Sequence, residues 1–347
     1  MTQVAPPTTH QNSFQPSGAV TGIGSLPFAS VSEAIHAVAE CSPRIPFWPQ
    51  LPQLSQQESV IGQGLGLLDG LIEPRGGAYG YRVRPGRIDA VVEALHHSTG
   101  ELTAVNAAGF MAFEEALASG LFPAADAVKG QIEGPITLST YLFYRDQPFF
   151  VDAALFSAVA FHVSQMVCWQ IDRMRRAGLP VLLFLDEPAL CLDATVANSV
   201  SEEKRLNALA ATLDDARRRG AVAGLHCCAE RPFRRMCLAQ PDIVSFDAHE
   251  GLDLFFADPH ARQFVRNGGV VAYGLVPTWQ GLEGVTAADI FTRWLTAAAL
   301  AGEPEDLARR AMVTATCGLG LLQPPAVAES FRVAREVGEL MRQLAGS

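Results

Sequence analysis

A single (β/α)8 barrel, the TIM barrel, is the fold class this sequence predicts, and three observations carry it. Eight short apolar runs alternate with longer amphipathic stretches. Most of the runs are solidly apolar, as strands covered on both faces are. Polar and metal-binding residues recur where the runs stop, and a barrel collects its functional groups at the C-terminal ends of its strands. A doubly wound open sheet is the alternative that the same alternation allows.

The elements follow in order. Strands are expected at 19–27 (AVTGIGSLP), 67–73 (LLDGLIE), 127–135 (AVKGQIEGP) and 180–188 (PVLLFLDEP). Four more are expected at 221–228 (AVAGLHCC), 242–248 (DIVSFDA), 270–277 (VVAYGLVP) and 312–320 (MVTATCGLG). Helices are expected at 151–177, 201–219, 286–301 and 325–344. The second has a Ser cap, early glutamates, late arginines and a closing Gly220, in keeping with the helix dipole and the C-cap rule. The proline-rich stretch 42–57 reads as a structured loop. Residues 1–17, rich in Pro, Gln, Thr and Ser, read as a flexible tail, and 18–347 as one barrel.

Composition bounds the function. The 347 residues are 49% hydrophobic and 18% charged, which is globular. A net charge of −10 without a Lys/Arg block argues against a nucleic-acid partner. The start has no basic, apolar leader, and no apolar run approaches the roughly 20 residues that span a bilayer. A cytoplasmic protein with no membrane partner is expected. Seven cysteines, an odd number at irregular spacing, fit metal binding or packing better than a disulfide framework.

The strand ends carry the chemistry. Gly24 and Ser25 end the first run, and Glu133, Gly134 and Thr137 stand at the end of the third. Asp186 and Glu187 end the fourth, His226 and Cys228 the fifth, Asp247 the sixth with Glu250 just after, and Cys317 the last. Alternate strand residues share a face, so His226 pairs with Cys228, and Cys227 points the other way. A ring nitrogen, two thiolates and a carboxylate suit zinc. Each group also has a plainer use: Cys packs as a small hydrophobe, and Asp186 or Glu187 caps a neighbouring segment.

The runs TGIGSLP, IEGPIT, LDEPAL, HCC and TATCGLG resemble, in this order, motifs of the cobalamin-independent methionine synthase family. The likeness is to its C-terminal catalytic barrel, within the superfamily shared with uroporphyrinogen decarboxylase, and runs from about residue 18 to the end. It implies a zinc-dependent methyltransferase acting on a thiol, homocysteine giving methionine. It implies His226, Cys228 and Cys317 as metal ligands, with Asp247 where the family has a glutamate and Glu250 as the substitute. It implies Asp186 on the substrate amino group, Ile23, Gly24 and Ser25 on the carboxylate, and Glu73 as a further substrate contact. The folate-dependent enzyme has a second barrel and a histidine after strand seven. Here the matching stretch is GLVPTWQG, without histidine, so a methylated corrinoid protein is the expected donor and partner rather than a folate.

Two readings stand beside this one. A uroporphyrinogen-decarboxylase-like lyase needs no metal and would use arginines such as those of YRVRPGR (81–87) for carboxylate arms. A metal-bound accessory barrel would need no turnover.

Overall fold

The computed structural model describes residues 14–76, 78–192, 200–278, 282 and 284–346. Strands form at β1 (Ala19–Val20), β2 (Ile72–Pro74), β3 (Tyr81–Val83), β4 (Val128–Glu133), β5 (Leu142–Tyr144) and β6 (Gln147–Pro148). They continue with β7 (Val181–Asp186), β8 (Val222–Cys227), β9 (Ile243–Asp247), β10 (Val270–Val276) and β11 (Ala311–Ala315). Among the described residues, seven of them make one curled parallel sheet in the order β1-β11-β10-β9-β8-β7-β4. The other four make a small separate sheet, β2-β3-β5-β6.

The expected closed barrel of eight strands is therefore corrected to a TIM-like half-barrel of seven. Run 67–73 does not enter it: after a 3-10 turn at Gly66–Leu68, Ile72–Pro74 pairs antiparallel with β3. The place between the sheet edges β1 and β4 belongs to residues 45–50 of the proline-rich stretch. Lys129 N donates to Pro46 O (2.9 Å) and Trp48 N to Lys129 O (3.3 Å). On the other side Gln50 N donates to Gly24 O (3.1 Å) and Leu26 N to Gln50 O (2.9 Å). Pro46 and Pro49 have no N–H, so this segment touches both edges through single bridges and builds no ladder.

The helices cover the outside of the sheet. Four match the expected positions closely: Ala153–Met174, Glu202–Arg218, Ala287–Ala299 and Pro324–Leu344. Ser201, Asp152 and Thr286 cap three of them by accepting backbone N–H groups. The last helix crosses β1 at Gly338, where an added Cβ would lie 2.2 Å from Gly18 O, and Gly18 itself has φ +74°. Only glycine fits either place. The stretch Ala153–Ala177 is, contrary to expectation, long and apolar enough to cross a membrane by length and composition, but half of its most apolar window is buried in this fold.

Two cores result. The outer one lies between sheet and helices. The inner one fills the barrel with Ala19, Ile45, Leu182, Phe184, Val270 and Met312 among others, and Phe14 packs against it. Above these apolar layers, toward the strand C-termini, the interior turns polar.

Candidate active site

Strand alternation builds that polar layer. In β4, Lys129, Gln131 and Glu133 share the inner face, while Val128 and Ile132 join the outer core. In β7, Leu182, Phe184 and Asp186 share it, and in β8 Gly224 and His226 do. The parallel register sets Glu133 beside Asp186 and Asp186 beside His226.

Cys228 and Cys317 meet in this layer. The Cys228 thiol donates to Cys317, which also lies against His226. The bond from Cys228, assisted by the nearby imidazole, pulls the Cys317 thiol down to about 4 despite its burial. The same bond, with burial, pushes Cys228 far up. The two thiols are thus shifted in opposite directions, with Cys317 the more acidic of the pair. Cys227 faces the other way, is fully buried in the outer core and lies in hydrogen-bond contact with the thiol of Cys191.

His226 is oriented from behind. Its Nδ1 lies 2.9 Å from Ser245 Oγ, and its buried Nε2 has no hydrogen bond of ordinary geometry. A ring held at one nitrogen with the other turned into a site is the arrangement of a metal-binding histidine. Among the described residues, no three His, Cys, Asp or Glu side chains already surround a common point. The three expected ligands meet as close neighbours instead.

The carboxylates divide by use. Burial raises Asp186 to about 6, while His226 and Lys129 pull it back, and its buried Oδ1 has no partner. Glu187 is structural: it accepts from Ile136 N (2.9 Å), Thr137 N (2.7 Å) and Thr137 Oγ1 (2.6 Å), and so caps the short helix Pro135–Thr140. The acidic pair thus splits, one member capping and one turned inward. Asp247 Oδ1 accepts from His249 N (3.0 Å) and Glu250 N (3.1 Å), capping the helix Ala248–Ala257. Glu250 is exposed.

Ile23, Gly24 and Ser25 lie between β1 and the bridging segment. Lys129 Nζ donates to Ile23 O (2.7 Å). Ser25 Oγ donates to Gln50 Oε1 (3.3 Å), and its carbonyl accepts from Leu319 N (2.8 Å), just past Cys317. Glu73 sits in β2 of the small sheet, ion-paired with Arg82 (2.7 Å) and Arg84 (3.4 Å). Those two arginines of the 81–87 run are therefore committed to Glu73. The stretch GLVPTWQG is described to Thr278; residues 279–281 lie outside the described residues, as do 1–13 of the expected tail.

Sequence reasoning missed one member of the layer, Lys129, and named another, Glu133, without a role. Lys129 is buried, held by Ile23 O and Gln131 Oε1 (2.9 Å), and burial lowers it to about 8. Glu133 is buried with an unpartnered Oε2 and is pushed well up by burial and by Asp186. The Lys-x-Gln-x-Glu alternation inside AVKGQIEGP is the signal that could have placed both on one face.

No family model matches the chain, and no curated protein does. Its fold is similar to solved structures at low identity. A methyltransferase from Methanosarcina mazei is 13% identical with a TM-score of 0.50, over 91% of this chain and 93% of that one. A B12-independent methionine synthase from Shewanella sp. W3-18-1, in complex with selenomethionine, is 15% identical with a TM-score of 0.45. The chain spans 62% of the length of that synthase, matched by 62% of its own residues. A modular endo-beta-1,4-mannanase from Cellulomonas fimi is 15% identical with a TM-score of 0.40, over 92% of this chain and 75% of that one. At such identities the likeness is one of fold, and this fold hosts many chemistries.

Proposed function

We propose that this chain is a thiol methyltransferase that uses zinc, with homocysteine as acceptor and a methylated corrinoid protein as donor. The observation that carries the reading is the meeting of His226, Cys228 and Cys317 beside the unpartnered carboxylate of Asp186. An imidazole nitrogen turned inward and two adjacent thiols are a donor set that suits zinc. Asp247 would supply the fourth ligand while also capping its helix. Zinc held there would lower the pKa of an acceptor thiol toward the reactive thiolate.

The chain's own residues do the rest. Asp186 accepts from the substrate ammonium. Ser25, with the backbone of Ile23 and Gly24, receives the carboxylate. Lys129 holds that segment in place through Ile23 O. The acceptor sulfur forms its bond to the methyl carbon as the bond to the carrier breaks, and the carrier keeps that electron pair. Orientation and exclusion of water are the protein's contribution. Glu73, out in the small sheet with Arg82 and Arg84, reaches the substrate only if that sheet folds over the site.

The test is turnover with homocysteine. Methylcobalamin supports methionine formation and methyltetrahydrofolate does not. Methionine formed from the folate with no corrinoid present contradicts the donor assignment. No transfer from either donor, by protein loaded with zinc, favours an accessory barrel.

A further inference from the structure

Glu133 and Asp186 are register partners on adjacent strands, and neighbouring strands lie about 4.8 Å apart. Glu133 is 3% exposed and Asp186 6%. Glu133 Oε2 and Asp186 Oδ1 are both buried without a hydrogen-bond partner. Among the described residues, the ionisable groups that bear on Glu133 are Asp186, Glu187 and Cys317, all acidic, and the hydroxyls of Tyr79 and Tyr141. Lys129, the nearby cation, is already bonded to Ile23 O and Gln131 Oε1. Two adjacent buried carboxyl groups with open acceptor sites cost folding free energy unless a donor or cation joins them. Glu187, capped onto a helix, shows what a satisfied buried carboxylate looks like here.

We propose that Glu133 and Asp186 together form a subsite for a primary ammonium group, and that Glu133 is the residue that makes the pocket select amino acids over their deaminated counterparts. An ammonium carries three donors and reaches both open oxygens at once. The inference rests on the thiol-methylation reading for the fate of the sulfur, but the cation pocket stands on its own geometry.

The experiment uses two ligand pairs on the full chain, by calorimetry: norleucine against hexanoate, which lack sulfur, and homocysteine against 4-sulfanylbutanoate. The parent binds norleucine over hexanoate by about tenfold or more, the scale of a buried charged hydrogen bond. Glu133→Gln removes most of that preference and leaves hexanoate binding unchanged. Its unliganded thermal midpoint equals or exceeds the parent's, because one of two crowded carboxyls is gone. A preference that survives Glu133→Gln, or is missing in the parent, overturns the inference. So does equal weakening of both ligands with a lowered midpoint, the mark of a structural role. Homocysteine binding no tighter than norleucine contradicts the thiol reading instead, and the norleucine pair still reads the cation pocket.

Discussion

Cys228, just past β8, lies in hydrogen-bond contact with Cys317, just past β11, although β9 and β10 stand between them in the sheet. The curl of the sheet brings the two sulfurs together, and the alternation of β8 sends Cys227 to Cys191 in the outer core. Neighbours in sequence are thus on opposite sides of one strand.

Purified without chelator, the protein is expected to hold about one zinc per chain. Cys228→Ser and Cys317→Ser each lose most of it, and Cys227→Ser keeps it. Metal analysis of the three variants checks this. Equal loss in Cys227→Ser contradicts the facing assigned to β8.

Asp247 both caps a helix and is the proposed carboxylate ligand. Asparagine is as good a cap as aspartate, so Asp247→Asn keeps the fold and loses metal. Asp247→Ala loses metal and also about 1 kcal/mol of stability, the usual worth of an N-cap. Glu250→Gln, at an exposed position, changes neither. Retention of zinc in Asp247→Asn with loss in Glu250→Gln assigns the ligand to Glu250.

Asp186→Asn is expected to lower homocysteine-dependent turnover by about tenfold or more and to leave zinc in place. Kinetics beside metal content separate the two effects. Loss of both together makes Asp186 part of the metal site.

Far from this layer, His162 is buried, with Nδ1 2.5 Å from Ser98 Oγ and Nε2 donating to Gly64 O (2.8 Å). Burial lowers it from 6.5 to about 4. Between those values the unfolded chain binds a proton that the folded one refuses, so stability falls as pH drops from about 6.5 toward 4. Glu187, raised to about 7, acts in the opposite sense, gaining stability as pH falls from about 7 toward 4.5. The difference between parent and His162→Gln isolates the histidine. The stability advantage of the parent over the variant shrinks by roughly 3 kcal/mol from pH 7 to pH 4. Denaturant melts at several pH values measure it, and a constant difference contradicts the assignment.

The sequence made some of this fold legible and hid the rest for physical reasons. β7, β8, β9 and β10 are solid apolar runs because both faces are covered, and the ends of β7, β8 and β9 carry the candidate residues. The segment 45–50 escaped because Pro46 and Pro49 read as loop while their neighbours bridge both sheet edges. Run 67–73 looked like a barrel strand because pattern alone does not say which sheet a short strand joins. Glu133 was visible as a polar residue at a strand end, but not that its carboxyl stands beside Asp186, which depends on the β4–β7 register.

The central claim is that an acceptor thiol meets a zinc ion held by His226, Cys228 and Cys317. X-ray absorption at the zinc edge, with and without saturating homocysteine, tests it most directly. The account predicts one sulfur neighbour more when homocysteine is present and no change with norleucine. A zinc shell that stays the same with homocysteine contradicts it.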